Sequence, residues 1–286
     1  MAKSLLERDY ILRNFQMPKE NLRLLQMTDR GKRYLELVDE VKQDYKDKLR
    51  KNSNVTLKGC DYCREINLWT YWQGLGYAEN TPEIDILLVG QDWGNPNNPS
   101  QTVENIKTIN MEIKDGENPI QYLQDADMER RDAQTDYNLI QIFKEVKGYD
   151  IENTRYSNLF FTNFSLGYRT GSGTGGMTKG VMSEDKEYFV KLCNILQPKK
   201  IICLGRITYE AVMSAFNKKP VDADTYNDMI KSYQATNVDC EGKTAQIYAV
   251  AHCGFYGTKN RGDIPKTKKR KEDLSNQIRD WNSILA

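Results

Sequence analysis

Nowhere does the chain hold about 18 consecutive apolar residues, so a membrane span is not expected. The opening stretch "MAKSLLERDYILRNF" lacks the continuous apolar segment of a secretory signal, because charges interrupt it throughout. Cysteine is sparse. Six in 286 residues, with no secretory signal, point to a reducing cytoplasm rather than to a disulfide framework. Net charge is nearly absent as well: at +1 the molecule as a whole has no strong attraction for nucleic acid. Histidine is the scarcest of all, and His252 is the only one in the chain.

What remains is the composition of a globular protein, 39% hydrophobic and 28% charged, of a length that suits one large α/β domain or one domain with an elaborated arm. Residues 1–54 are very polar and of helical character. "GKRYLELVDEVKQDYKDKLRK" sets Tyr34, Leu35, Leu37, Val38, Val41 and Tyr45 on one helical face. This predicts an N-terminal helical arm within residues 1–80, packed on a main domain over 81–286.

In the main domain strands and helices alternate. "IDILLVG" reads as a buried strand, "TDYNLIQIFKEVKG" as a helix with Thr135 or Asp136 as N-cap, and "NLFFTNFSLG" as a second strand. Then follow a helix in "SEDKEYFVKLCNILQP", a strand in "KKIICLG", a helix in "RITYEAVMSAFN", a strand in "TAQIYAVAHCG" and a terminal helix in "KEDLSNQIRDWNSILA". This alternation predicts a three-layer α/β/α sandwich around a central, mostly parallel sheet. The polar stretch Asn95–Thr135 is a candidate insertion or lid.

Active sites of such sheets gather at the carboxyl ends of the strands. Three strand ends here carry reactive side chains: Gln91 and Asp92 on the first, Asn163 on the second, His252 on the fourth. A carboxylate can orient or deprotonate a water, or offset a developing cation. An asparagine amide matches the pyrimidine edge that presents a carbonyl beside an N–H. A histidine can donate to an oxygen on which negative charge accumulates. Together the three suit hydrolysis of a glycosidic bond in which a base leaves as an anion.

In order and placement, "VGQDWG", "TNFS" and "AHCG" resemble the uracil-DNA glycosylase superfamily, with its GQDP-type first motif, strand-end asparagine and HPS-type last motif. "LIQIFKEV" and "PKKIICLGRITYEAV" resemble the units between them. The resemblance runs from Ile84 to the C-terminus apart from Asn95–Thr135. It implies that Asp92 handles the water and the cationic sugar while His252 stabilises the departing base. It further implies that Gln91 and Asn163 line and read the base pocket, and that the target nucleotide is flipped out of the stack. Phe255 and Tyr256 occupy the segment where members carry a wedge, with Lys259 and Arg261 among the nearby basic residues for DNA. A plain surface hairpin explains the same aromatic pair. Trp93-Gly94 stand where common uracil-specific members have Pro-Tyr, and Cys253-Gly254 where they have Pro-Ser, so the base preferred stays open between uracil and a 5-substituted pyrimidine.

Cys60 and Cys63 resemble the CxxC of the superfamily's iron–sulfur branch. A closed site takes four ligands, however, and Gly167 stands at the third position while Cys193 lies too near Pro198 for the fourth. Unliganded cysteines, and no metal or cofactor, are the expectation, with Cys203 in the core. "GSGTGG" (Gly171–Gly176) satisfies G-x-G-x-x-G in letters only, because it does not sit directly between a strand and its helix. Finally, "GTKNRGDIPKTKKRK" carries seven Lys or Arg against one acid. It serves either a phosphate backbone or a solvated basic turn.

The reading that follows is a cytoplasmic, monomeric base-excision DNA repair enzyme that acts on single- or double-stranded DNA. Two alternatives stay open: a non-catalytic base-binding module on the same scaffold, and the same cleavage on free nucleotides or RNA.

Overall fold

A computed structural model describes residues 26–48, 50–58, 83–92, 134–146, 159–169, 176–267 and 269–285. The five-residue strand β3 (Ile86–Gly90) is buried along its whole length, as a central parallel strand covered on both faces must be. It pairs in parallel with β4 (Leu159–Asn163) on one side and β6 (Lys200–Leu204) on the other. Next to β6 lies β8 (Lys243–Val250), also parallel, and the edge strand β7 (Thr236–Cys240) runs antiparallel to it. The sheet order is therefore β4-β3-β6-β8-β7. From β3 the chain goes outward to β4 and then crosses back to β6, so the order reverses between β3 and β6. Doubly wound sheets open a crevice at such a point.

Alternate residues of each strand feed two cores, as the twofold pleat requires. Leu87, Val89, Ile201 and Cys203 join a core formed with helices α1 (Asp29–Asp47), α3 (Lys179–Ser183), α4 (Lys186–Leu196), α5 (Arg206–Ala215) and α6 (Tyr226–Lys231). Ile86, Leu88, Ile202 and Leu204 face α2 (Gln134–Glu145) and α8 (Ser275–Leu285) instead. There Phe143 of α2 meets Trp281 of α8 edge-on, with ring centroids 5.1 Å apart. The α/β/α architecture expected from the alternating sequence is thus present. No helix among the described residues is long and apolar enough to cross a membrane.

Helix α1 begins at an N-cap, Thr28, whose hydroxyl accepts from Gly31 N–H at 2.9 Å. Its Tyr34, Leu37, Val38, Val41 and Tyr45 are buried in the same core as the sheet, with Leu35 partly buried beside them. After α1 the chain forms β1 (Arg50–Lys51) and β2 (Thr56–Lys58). With β5 (Tyr168–Arg169) these make a small antiparallel sheet. Strand β2 thereby joins the chain that follows β4, Leu57 pairing with Arg169 and Lys58 with Tyr168.

Several details depart from the sequence expectation. Helix α2 starts at Gln134, so Thr135 and Asp136 fall in its first turn rather than at the cap. The helix expected over Ser183–Pro198 starts only at Lys186, as α4, and a short helix that was not expected, α3, ends at Ser183 just before it. "GFYG" opens a short helix, α7 (Phe255–Asn260), rather than a hairpin. Strand β7 and its turn at Glu241-Gly242, with φ of 53° and 82°, close the sheet's edge where no strand was expected.

Candidate active site

The strand register brings the sequence motifs level. Gly90 pairs with Asn163, Val89 with Cys203, and Leu204 with Val250. Gln91-Asp92, Asn163, Gly205 and His252 therefore leave the sheet at one carboxyl edge. Strands are spaced by about 4.8 Å, so β3 and β8 lie about 10 Å apart across β6. At the end of β6 stands Gly205, whose φ of 90° is a backbone conformation that side chains disfavour. Between Asp92 and His252 the rim of the sheet thus presents backbone and no side chain at that position.

Each member of the site is positioned by identifiable contacts. Gln91 Nε2 donates to Asp92 Oδ2 at 2.9 Å, and both residues are partly exposed. Asn163 is buried at 6% exposure. Its amide lies so close over Gly90 that a Cβ there would overlap Asn163 Oδ1. The chain beyond β4 is stitched to the tip of β3: Phe164 N–H donates to the Gly90 carbonyl at 2.9 Å and Ser165 N–H to the Gln91 carbonyl at 3.1 Å.

His252 sits two residues beyond β8, and its Nδ1 accepts the Gly254 N–H at 2.9 Å. A neutral ring so bound carries its proton on Nε2. Burial lowers the His252 pKa below the ordinary 6.5, and the negative charge of Asp92 opposes that shift. Burial thus favours the neutral imidazole. The loop is fixed from beneath by groups that sequence reasoning missed. Asn138 Nδ2 and Thr258 Oγ1 both donate to the Cys253 carbonyl, at 2.7 and 3.3 Å. Gln277 Nε2 in turn donates to Thr258 Oγ1 at 3.0 Å. Helices α2, α7 and α8 converge here, and the only sequence signal was Asn138, a polar residue on an otherwise apolar helix face.

Helix α7 follows His252 directly. Tyr256 is 74% exposed, and its ring meets that of the partly buried Phe255 edge-on at 5.4 Å. Lys259 is exposed one turn further on. Arg261, expected with Lys259 at a DNA surface, faces the interior instead. It is 5% exposed, and its Nε and Nη2 donate to Asp280 at 2.6 and 2.8 Å. Tyr233 Oη adds a bond to the same carboxylate at 3.2 Å. This guanidinium ties the end of α7 to α8. Lys269, Arg270 and Lys271 are exposed in a segment closed by the bridges Ile264–Asp273 and Thr267–Arg270.

Trp93, Gly94, Cys60 and Cys63 lie outside the described residues, as does most of Asn95–Thr135 and Gly171–Gly176. Cys193, Cys203, Cys240 and Cys253 are buried and take part in no disulfide. Among the described residues no three His, Cys, Asp or Glu side chains gather as a metal site. A groove lined by Arg33, Glu36, Leu37 and Lys191, between α1 and α4, contains none of the strand-end residues.

Fold and site together define a doubly wound α/β protein with polar side chains, one of them a histidine, along the carboxyl edge of its sheet. No family model matches the chain, and no curated protein matches it.

Proposed function

We propose that the chain is an N-glycosylase of the uracil-DNA glycosylase kind, which hydrolyses the glycosidic bond of a flipped uracil or 5-substituted pyrimidine. One observation carries the reading: the strand register sets a carboxylate, an amide and an imidazole at three strand ends along one edge of a single sheet.

The chemistry follows from what each group offers. Asp92 holds a water through its carboxylate, steadied by the Gln91 amide, and directs it at the anomeric carbon. As the C–N bond breaks, its electron pair leaves with the base and the sugar becomes oxocarbenium-like. The negative charge of Asp92 stabilises that cation. The Asn163 amide pairs with the base edge. His252, kept neutral by burial and with Nδ1 already occupied, donates from Nε2 to the base oxygen that gains charge. The ring donates this bond without giving up its proton, and the proton released when water adds to the sugar passes by way of Asp92 to solvent or to the departed base anion. Tyr256 and Lys259, on the helix directly after His252, are suited to fill the gap left by the flipped base and to meet a phosphate.

The test is to incubate the protein with single- and double-stranded oligonucleotides bearing uracil or 5-substituted uracils and to probe for abasic sites by alkaline cleavage. Abasic product from at least one substrate is the expected result. Tight retention of DNA with no product from any substrate would replace the enzyme by a base-binding module.

A further inference from the structure

We infer that the N-terminal segment is a working part of the site: Tyr45 and Arg50 hold Asp185, and Asp185 holds the loop that connects Asn163 to the Gln91–Asp92 tip. The inference rests on the reading of Asp92 and Asn163 as the reacting site.

Four consecutive backbone N–H groups follow Asn163. Those of Phe164 and Ser165 go to the carbonyls of Gly90 and Gln91. The N–H of Leu166 donates to Asp185 Oδ2 at 3.1 Å, and that of Gly167 lies against the phenol oxygen of Tyr45. The first pair binds the loop to the catalytic tip; of the second, Gly167 meets the arm at Tyr45 and Leu166 meets Asp185, which the arm's Tyr45 and Arg50 hold. Tyr45 Oη also donates to Asp185 Oδ2. Gly167 has no room for a side chain, because a Cβ would overlap the Tyr45 ring. Ser165 Oγ is buried without a hydrogen-bond partner, so its side chain does not anchor the loop.

The composition of this joint is costly for mere coverage. Asp185 is the N-cap residue of α4, yet its carboxylate makes no cap bond and turns to Leu166 and Tyr45 instead. Arg50 is 1% exposed and forms ion pairs with Asp44 and, at 3.3 Å, with Asp185. Its guanidinium carbon stacks 3.9 Å from the centre of the Tyr45 ring. An apolar contact would seat α1 on the sheet without burying a cation and a carboxylate, since such pairs contribute little net stability. What the polar joint adds is a fixed direction for the loop's N–H groups.

Hydrogen exchange followed by mass spectrometry tests this without assuming any activity. In Tyr45→Phe and in Asp185→Asn, peptides over Gly90–Asp92 and Asn163–Gly167 should exchange faster by about tenfold or more, as expected on loss of a hydrogen bond to a charged group. A peptide over Lys243–Val250 should be unchanged. Val38→Ala weakens the apolar face of α1 without touching the joint, and should loosen α1 but not the two tips. In the abasic-site assay both joint variants should lose turnover with KM held within about twofold, because the geometry of the reacting groups is disturbed rather than the DNA-binding face. Wild-type exchange at the tips in both joint variants would overturn the inference. So would tip exchange in Val38→Ala as fast as in Tyr45→Phe. If the tips respond as stated while the wild-type chain forms no abasic product, the joint stands and the glycosylase reading falls.

Discussion

Gly90→Ala separates the site from the fold. The added Cβ would overlap Asn163 Oδ1 and lie 3.3 Å from Asn163 Cγ, while the nearest backbone atom, the Thr162 carbonyl oxygen, stays at an ordinary 3.7 Å. The backbone at Gly90 is that of a regular strand, so alanine is tolerated there and only the Asn163 amide must yield. Restoring normal contact displaces that amide by about 1 Å, and a displacement of that size in a positioning group costs on the order of 10²-fold in rate. The stability cost is small, about 1 kcal/mol, the low end of overpacking, because the atom struck is the end of a side chain that can rotate away. Urea denaturation measures the second quantity and abasic-site formation under single-turnover conditions the first. Wild-type turnover in a normally folded Gly90→Ala protein would refute the role given to the Asn163 amide. A collapse of stability by several kcal/mol would refute the packing argument.

Three further predictions follow the same logic. The His252 pKa is lower folded than unfolded, so below about pH 6.5 the unfolded state takes up a proton that the folded state refuses. The His252 contribution is fully present above that pH and is lost as pH falls toward the folded value. Subtracting urea-melt stabilities of His252→Gln from wild type across pH 5–8 should therefore give a difference that falls on acidification; a flat difference would contradict the burial argument. Arg261→Ala strands the buried Asp280 carboxylate and should cost about 3–5 kcal/mol by urea denaturation. An effect below about 1 kcal/mol would mean that the pair is hydrated. Lys259→Ala should reduce the magnitude of the slope of log affinity for DNA against log salt by about 1 if the exposed ammonium meets a phosphate; an unchanged slope removes it from the interface.

Much of the scaffold was legible because its signals are local. The unbroken apolar run Ile86–Val89 and the cluster Ile201–Cys203 have one stable home each, the middle of a parallel sheet covered by helices. The face Tyr34–Tyr45 was equally plain from its helical spacing. Strand β7 was not, because Thr236–Cys240 alternates polar and apolar residues over only five positions and depends on β8 for its pairing. Arg261 illustrates a different limit. Within "GTKNRGDIPKTKKRK" it looks like one basic residue among seven, and only the approach of α8 gives it Asp280 as a partner. Asn138, Thr258 and Gln277 were hidden for the same reason: they meet from three helices distant in sequence. Asp92, Asn163 and His252 could be singled out because strand ends can be read from sequence and the chemistry of the three groups is complementary. Their common edge is a property of the register.

The most direct test of the central claim compares wild type, Asp92→Asn and His252→Ala in the same abasic-site assay on uracil-bearing DNA, with folding checked by urea denaturation. The account predicts abasic product from the wild type and a severe loss of rate in each variant, with DNA still bound. Wild-type rates in both folded variants, or no product from the wild type with any pyrimidine tested, would contradict it.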